Sequence, residues 1–241
     1  MLQKLKILHD FCSQNNMKVN LGKTKFMVIN GEEHDKYPLI VEDLVVRWCE
    51  QYVYLGSVIT ADGMSSSAIA ADAKIRMAQV MKFISFVQKN NDVPFFVKMR
   101  VFKACVMSSL LYACVSWLSS DLRAISRAYM MCVKALLNVR TSTTNDLYLA
   151  ELGLSEVKAL VVVQQKKYFK NMQRSRHNLP DDPFAHALTL SLGSRTHTSR
   201  YLSNLIDGDI TDVQTSLETI RARIRNNPRN STRLSWYSLG L

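Results

Sequence analysis

The chain has 241 residues, 47% of them hydrophobic, with 31 Lys+Arg against 20 Asp+Glu for a net charge of +11. That length fits one large domain or two small ones, and that apolar share excludes a disordered tail. With 8 Gly and 5 Pro the chain is not collagen-like and has little room for a turn-rich sandwich; the positive excess points to an anionic partner rather than a neutral carrier role.

Leu5, Leu8, Phe11 and Cys12 recur at helical spacing and Asn15-Asn16 stops the pattern, so the chain opens on a short helix. Strand-like segments follow. Met17-Lys18-Val19 alternates, and residues 25–29 are apolar and β-rich, ending at Asn30-Gly31. Residues 44–48 and 51–60 read as two more strands, and Asp62-Gly63 closes the block with a turn. Beyond Gly63 the periodicity is helical. Ser65 or Ser66 can cap a helix whose apolar face carries Ile69, Met77, Val80, Met81, Ile84 and Val87. Pro94 suits a helix start, and residues 96–118 continue as a very apolar helix with Val106, Leu110, Leu111, Tyr112 and Trp117 as core.

Residues 121–137 read as a third long helix, burying Ile125, Met131, Cys132, Leu136 and Leu137. Ser155-Glu156 opens a fourth, running to about His177. Two or three shorter helices follow, the last ended by Asn227-Pro228, and Pro180 with Asp181-Asp182-Pro183 forms the best candidate linker. The expected fold class is α+β, mostly α: a small hairpin-containing head over residues 1–63, a helical body over 64–179 and a helical C-terminal extension over 180–241.

Five cysteines (Cys12, Cys49, Cys105, Cys114, Cys132) lie far apart without a C-x-x-C, and no two histidines have zinc-helix spacing, so a zinc ribbon or finger is excluded. Buried, inert thiols in a reducing compartment are expected. The first residues lack the apolar core of a signal peptide, and residues 104–120, uncharged but with five Ser, fall short of a membrane span. The expectation is an intracellular protein, nuclear or cytoplasmic, not secreted and with no membrane partner. Gly22-Lys23-Thr24 looks like the end of a phosphate-binding loop, but Met17 stands where that motif needs its first Gly, and the reading is discarded.

A set of segments, taken in order, resembles the reverse transcriptases of non-LTR (LINE-type) retrotransposons. Asn16-Met17-Lys18-Val19-Asn20-Leu21-Gly22-Lys23-Thr24-Lys25 is similar to the K-V-N-x-x-K-T-K segment of palm motif D, and Tyr54-Leu55-Gly56 to the Y-L-G hairpin of motif E, the primer grip. Leu111-Tyr112-Ala113-Cys114-Val115-Ser116-Trp117 resembles the L-L-Y-G-x-x-x-W thumb helix, and Leu136-Leu137-Asn138-Val139-Arg140 resembles I-L-G-V-R. Glu151-Leu152-Gly153-Leu154 matches the stretch that follows, so the resemblance spans residues 1–175.

What this resemblance implies is the end of a palm, a primer grip and a helical thumb of an RNA-directed DNA polymerase, with an RNA template and DNA primer, or an RNA/DNA hybrid, as partners. The parent reaction uses Mg²⁺ held by aspartates of two palm motifs, which orients and stabilises the attacking and leaving oxygens. In the family the second of those motifs precedes the first helix seen here. The only Asp pair of this chain, Asp181-Asp182, lies between prolines and reads as a turn. Hence no metal ligand and no cofactor is assigned to this chain, which by itself is expected not to polymerise. Lys23 takes the place of the motif D lysine, which protonates or shields the departing pyrophosphate; its alternative is a solvated lysine at a strand edge. Tyr54, Leu55 and Gly56 take the place of the residues that support the primer's 3′ end, with ordinary hairpin residues as the alternative.

On a wheel of the fourth helix, Val157, Val161, Tyr168 and Met172 share one face, while Lys166, Lys170 and Arg174, with Lys167 beside them, share the other. Residues 164–176 hold no acid, so this face is either solvated or a contact for nucleic-acid phosphates. Arg221, Arg223, Arg225, Arg229 and Arg233 repeat the signal less regularly, and Trp236 and Tyr237 could stack on bases or pack on the body. Residues 1–120 hold 14 basic and 10 acidic side chains against 17 and 10 in 121–241, so the excess leans towards the helical body. The rival reading is a transposon-derived helical protein with a structural or protein-interaction role and no enzyme activity, self-associating through the exposed palm-facing surface.

Overall fold

The computed structural model describes residues 1–118, 121–138, 144–175, 200–201 and 213–226, with the backbone alone at 170, 172–175 and 213–215. These residues are mostly helical with short strands, an α+β arrangement. They divide into two units, Met1–Ala68 and Ile69–Leu241.

In the first unit, α1 (Leu2–Gln14) ends where Asn16 turns left-handed at φ 52, which lets the Met17 N–H reach the Cys12 carbonyl at 2.8 Å. Residues 17–19 form no strand, and the strand read at 25–29 shrinks to β1 (Lys25–Phe26). Its only ladder partners are Arg47 and Trp48 of β3 (Leu44–Trp48), paired in parallel, so alternation beyond Phe26 finds no neighbour to bond. A strand the periodicity did not reveal, β2 (Leu39–Val41), pairs antiparallel with β3 across the two-residue turn Glu42-Asp43. Leu44 and Val46 point inward and Val45 outward, the period-two signature of a half-buried strand. With Phe26 they make a small core, flanked by Leu5, Val19, Val28, Leu39 and Trp48. Residues 51–60, read as one strand, fold into the antiparallel hairpin β4 (Gln51–Tyr54) and β5 (Ser57–Thr60).

The turn at Asp62 organises the start of α2 (Ser65–Lys89), in place of the Ser65 or Ser66 cap read from the sequence. Its Oδ1 accepts from the Thr60 hydroxyl at 2.6 Å and the Met64 N–H at 2.9 Å. The Ser67 hydroxyl, then that of Thr60, hold the Asp62 carboxyl below its ordinary range. Gly63 sits at φ +65 with Ile29 Cγ2 2.8 Å from where a Cβ would stand, so only glycine fits there.

The second unit is built on one large core. Ile69, Ala73, Val80, Phe83 and Val87 line the inner face of α2. Met81, expected on that face, is exposed, and Phe83 replaces it. The apolar helix read over 96–118 is not continuous. It runs as α3 (Phe95–Val101), a π-helical segment (Phe102–Met107) and α4 (Ser108–Leu110), then turns through left-handed Ala113 into a short 3₁₀ segment (Cys114–Ser116). The wider π turn keeps Phe102, Val106 and Leu110 on one fully buried stripe. Arg76 terminates the run: it forks onto Asp72 at 2.8 and 2.9 Å and donates to the Ser109 carbonyl at the helix end. Its guanidinium also lies over the Tyr112 ring, so Tyr112, expected in the core, stays half-exposed.

Next, α5 (Arg123–Leu137) buries Ile125, Cys132 and Leu136 and stops at left-handed Asn138. A short helix that the sequence reading passed over, α6 (Asn145–Leu152), ends at Gly153, φ 59, with the Leu154 N–H bonded back to Leu149 at 2.8 Å. The last two described helices are α7 (Val157–Ser175) and α8 (Val213–Asn226), and the stop expected at Asn227-Pro228 lies outside the described residues. Ile220 and Ile224 of α8 join the same core as Val157 and Val161 of α7. The candidate linker at 180–183 lies outside the described residues.

Candidate nucleic-acid interface

The Lys23 segment and the Tyr54-Leu55-Gly56 hairpin both fall in the first unit, and one hydrogen bond ties the loop to the hairpin's first strand. Lys23 lies exposed on the loop before β1, where its backbone N–H is held by the Asn20 side chain at 3.1 Å. The Tyr52 hydroxyl of β4 donates to the Lys23 carbonyl at 3.2 Å, tying the loop to the hairpin. At the hairpin's tip Leu55 and Gly56 both adopt positive φ, 48 and 80. This mirror-image turn matches the right-handed twist of the strands, and it is a conformation that Asn-Gly adopts more easily than Leu-Gly. Tyr52, Tyr54 and Ile59 share one face of the hairpin and all are exposed, while Val58 points the other way and is buried. Leu55, at 76%, is the most exposed of the large apolar residues among the described ones. The hairpin thus presents two phenol rings and an apolar tip, groups that pack on sugars and bases or on a protein.

In the second unit α7 buries Val157, Val161 and Phe169. Tyr168, expected with Val157 and Val161, is instead exposed: the core stripe runs through 157, 161, 165 and 169, so Gln165 takes the inward position. That amide is fully buried and fully partnered. Its Nε2 donates to the carbonyls of Cys114 at 3.0 Å and Trp117 at 2.7 Å, and its Oε1 accepts from the Tyr201 hydroxyl. It closes the helix end left open after Ala113, which explains a polar residue in an apolar stripe.

Gln164, Lys167, Tyr168 and Asn171 are exposed on the opposite side of α7, and Lys166 is half-buried. The side chains of Lys170 and Arg174 lie outside the described residues. Tyr168 stands edge-on to buried Phe169, ring centroids 5.8 Å apart, which steadies an aromatic ring beside Lys167. The sequence signal for Tyr168 was its place next to Phe169, which already fills the core position.

On α8, Arg223 is engaged by Glu156 and by Asp146, at 3.4 Å. Arg221 and Arg225 line a groove of about 570 Å³ against α6, but Glu151 and Glu218 line it too. Acids matched to the cations make this groove a poorer polyanion site than the α7 face. Arg229, Arg233, Trp236 and Tyr237 lie outside the described residues.

The division sorts charge sharply. Residues 1–68 carry seven Lys+Arg against eight Asp+Glu, or −1, and residues 69–241 carry 24 against 12, or +12. The thiols are less uniform than expected. Burial pushes Cys114 up to about 11 and Cys132 up to about 12, which keeps both unreactive, whereas Cys105 is exposed. Among the described residues no group of three or more His, Cys, Asp or Glu is placed to hold a metal ion. No helix of these residues is long and apolar enough to cross a membrane. No protein-family model, curated protein or solved structure matches this chain.

Proposed function

We propose that this chain holds a template–primer duplex, as the C-terminal part of an RNA-directed DNA polymerase of the non-LTR retrotransposon type. The observation that carries the reading is the acid-free run of α7, on which Lys167 is exposed and Lys166 half-buried, with no acid from residue 157 to 180, in a unit of charge +12. Lys166, Lys167, Lys170 and Arg174 neutralise backbone phosphates, an interaction that sets position without reading sequence. Tyr54, Leu55 and Gly56 rest against the primer's 3′ end, and Lys23 lies by the phosphates of an incoming or departing nucleotide. Supporting this assignment are the order of the motifs and the Tyr52–Lys23 bond that ties the Lys23 loop to the hairpin carrying Tyr54-Leu55-Gly56.

The test is fluorescence anisotropy with a labelled RNA/DNA hybrid across about 50–200 mM salt, where affinity should fall steeply. Neutralising the four α7 cations to Gln should reduce the salt slope by about one for each phosphate no longer neutralised. A flat salt response in the unmutated chain overturns the reading. In a primer-extension assay with Mg²⁺ the chain alone should add no nucleotide.

The rival, a protein-interaction role without enzyme activity, has its own observation in the exposed apolar residues of the hairpin, Tyr52, Val53, Tyr54, Leu55 and Ile59. Self-association on size exclusion, abolished by Leu55→Asp and accompanied by no retention of hybrid, favours it.

A further inference from the structure

We propose that the outer face of α3 and the π segment is a second nucleic-acid site, one for unpaired nucleotides, with Phe96 stacking on a base and Arg100 and Lys103 on the flanking phosphates. The site lies on other helices than the α7 face and stands whether or not that face holds a duplex.

Charge is the first argument. Residues 93–118 contain no Asp or Glu, and Lys98, Arg100 and Lys103 are their only charges. Arg100 and Lys103 are both exposed, and neither has an ion-pair partner among the described residues. Three guanidiniums of this unit are matched instead by carboxylates, Arg76 by Asp72, Arg123 by Asp121, and Arg223 by Glu156 and Asp146. A face whose cations are left without carboxylates suits a polyanion.

The second argument is aromatic. Phe83, Phe102 and Phe169 are buried and Phe86 is half-buried, yet Phe96 is 67% and Phe95 47% exposed. Phe96, Arg100 and Lys103 follow one another at four and then three residues, which sets them on one side of the helix. An exposed ring among cations is the pairing by which single strands are held, since every base has a face to stack. A duplex hides those faces, so this ligand is an unpaired strand.

Rigidity is the third. The opposite side of the same run is anchored by Phe102, Val106 and Leu110, all 1% exposed or less, and the Phe102 ring lies 5.6 Å from those of both Phe83 and Tyr129. The ring and the cations are therefore presented on a fixed scaffold. An anionic membrane is the competing polyanion. Past Phe95 and Phe96, however, the exposed residues are Arg100, Lys103, Ala104, Cys105 and Ser108, too little apolar surface for a helix that lies in a lipid interface.

The experiment measures binding of the full chain to labelled oligo-dT and to an RNA/DNA hybrid at low ionic strength, beside co-sedimentation with phosphatidylserine vesicles. Phe96→Ala should weaken oligo-dT binding about tenfold and leave hybrid binding unchanged, and Phe96→Tyr should restore the affinity. Arg100→Gln with Lys103→Gln should weaken oligo-dT binding and lower its salt slope by one to two, on the order of one for each phosphate engaged. Since all three side chains are exposed, circular dichroism should report an unaltered fold. Absence of oligo-dT binding by the unmutated chain, an unchanged affinity in Phe96→Ala, an equal loss on hybrid, or a Phe96-dependent affinity for vesicles alone would each overturn the proposal. Loss of hybrid binding on neutralising the α7 cations, with oligo-dT binding intact, separates this site from the duplex reading.

Discussion

The two units differ in opposite senses. Residues 1–68 carry −1 and bury four apolar side chains, Phe26, Leu44, Val46 and Val58, while leaving 17 large hydrophobic residues exposed among the described ones. Residues 69–241 carry +12, bury 26 and expose six. A folded unit this small has little hydrophobic stabilisation to set against the entropy of its chain. The contrast teaches that the two units suit different neighbours. The first offers, on its uncharged hairpin over residues 51–60, apolar surface that fits another protein surface or the sugar edge of a primer. The second completes its own core and offers cations to a polyanion. The proposed reading uses both, which makes the contrast testable from either side.

The largest effect belongs to the large core. Phe102→Ala removes a fully buried ring from between Phe83 and Tyr129 and should cost the second unit about 3–5 kcal/mol. Phe26→Ala, at the rim of a three-residue core where neighbours can close in, should cost the first unit less than about 3 kcal/mol. Hydrogen exchange within each unit measures both. A reversed order would break the contrast.

Next comes the buried ion pair. Asp72→Ala leaves the Arg76 guanidinium, 11% exposed, without its carboxylate and should cost about 3 kcal/mol. Its signature is local: faster exchange at the end of α4, where Arg76 donates to the Ser109 carbonyl. A loss spread evenly over the unit would mean that the pair does not fasten that turn.

Sequence periodicity carried most of the helical body and little of the head. Ile69, Val80, Val87, Ile125 and Cys132 were legible because a helix of several turns averages out single deviations, and the stop at Asn15-Asn16 is backbone chemistry. The strands were harder, because a strand exists only through its neighbour. Met17-Lys18-Val19 alternates but pairs with nothing, and Leu39–Val41, preceded by Pro38, becomes a strand by pairing with β3. On the candidate surfaces, the tip at Leu55-Gly56 was readable as a motif, but its link through Tyr52 to Lys23 spans 29 residues and leaves no local trace. Tyr168 and Tyr112 read as core because aromatics usually pack there. Gln165 and Arg76, with their long-range hydrogen bonds, reorganise both places.

A smaller effect sharpens the contrast at the hairpin. Leu55 holds φ 48 with a branched apolar side chain 76% exposed, so its conformation is costly and its burial negligible. Leu55→Asn should stabilise the first unit by about 1 kcal/mol, since Asn tolerates this left-handed position. The same substitution should weaken hybrid binding if the tip rests on the primer. A more stable hairpin with full affinity would remove Leu55 from the interface, leaving Tyr52 and Tyr54 to carry it.

The smallest effect is a pH dependence confined to the first unit. His9 of α1 meets Asp43 of the β2–β3 turn at 2.8 Å through Nε2, and Asp10 at 3.5 Å through Nδ1. The Asp43 hydrogen bond, then that of Asp10, raise the His9 pKa above its ordinary 6.5, against a smaller opposing effect of desolvation. A raised folded value means that the imidazolium form stabilises the native state. The contribution is therefore fully present below pH 6.5 and fades as pH rises through the folded value. Since α1 buries no side chain, this contact is one of the few holding it, and its amide protection, corrected for intrinsic exchange, should fall across that window. His9→Gln should flatten the response, and Asp43→Asn should move the His9 midpoint, followed by NMR, back towards 6.5. An unmoved midpoint would show that the helix is held on the sheet by Leu5 and its apolar neighbours alone, and the first unit would then depend on its small core even more than its burial suggests.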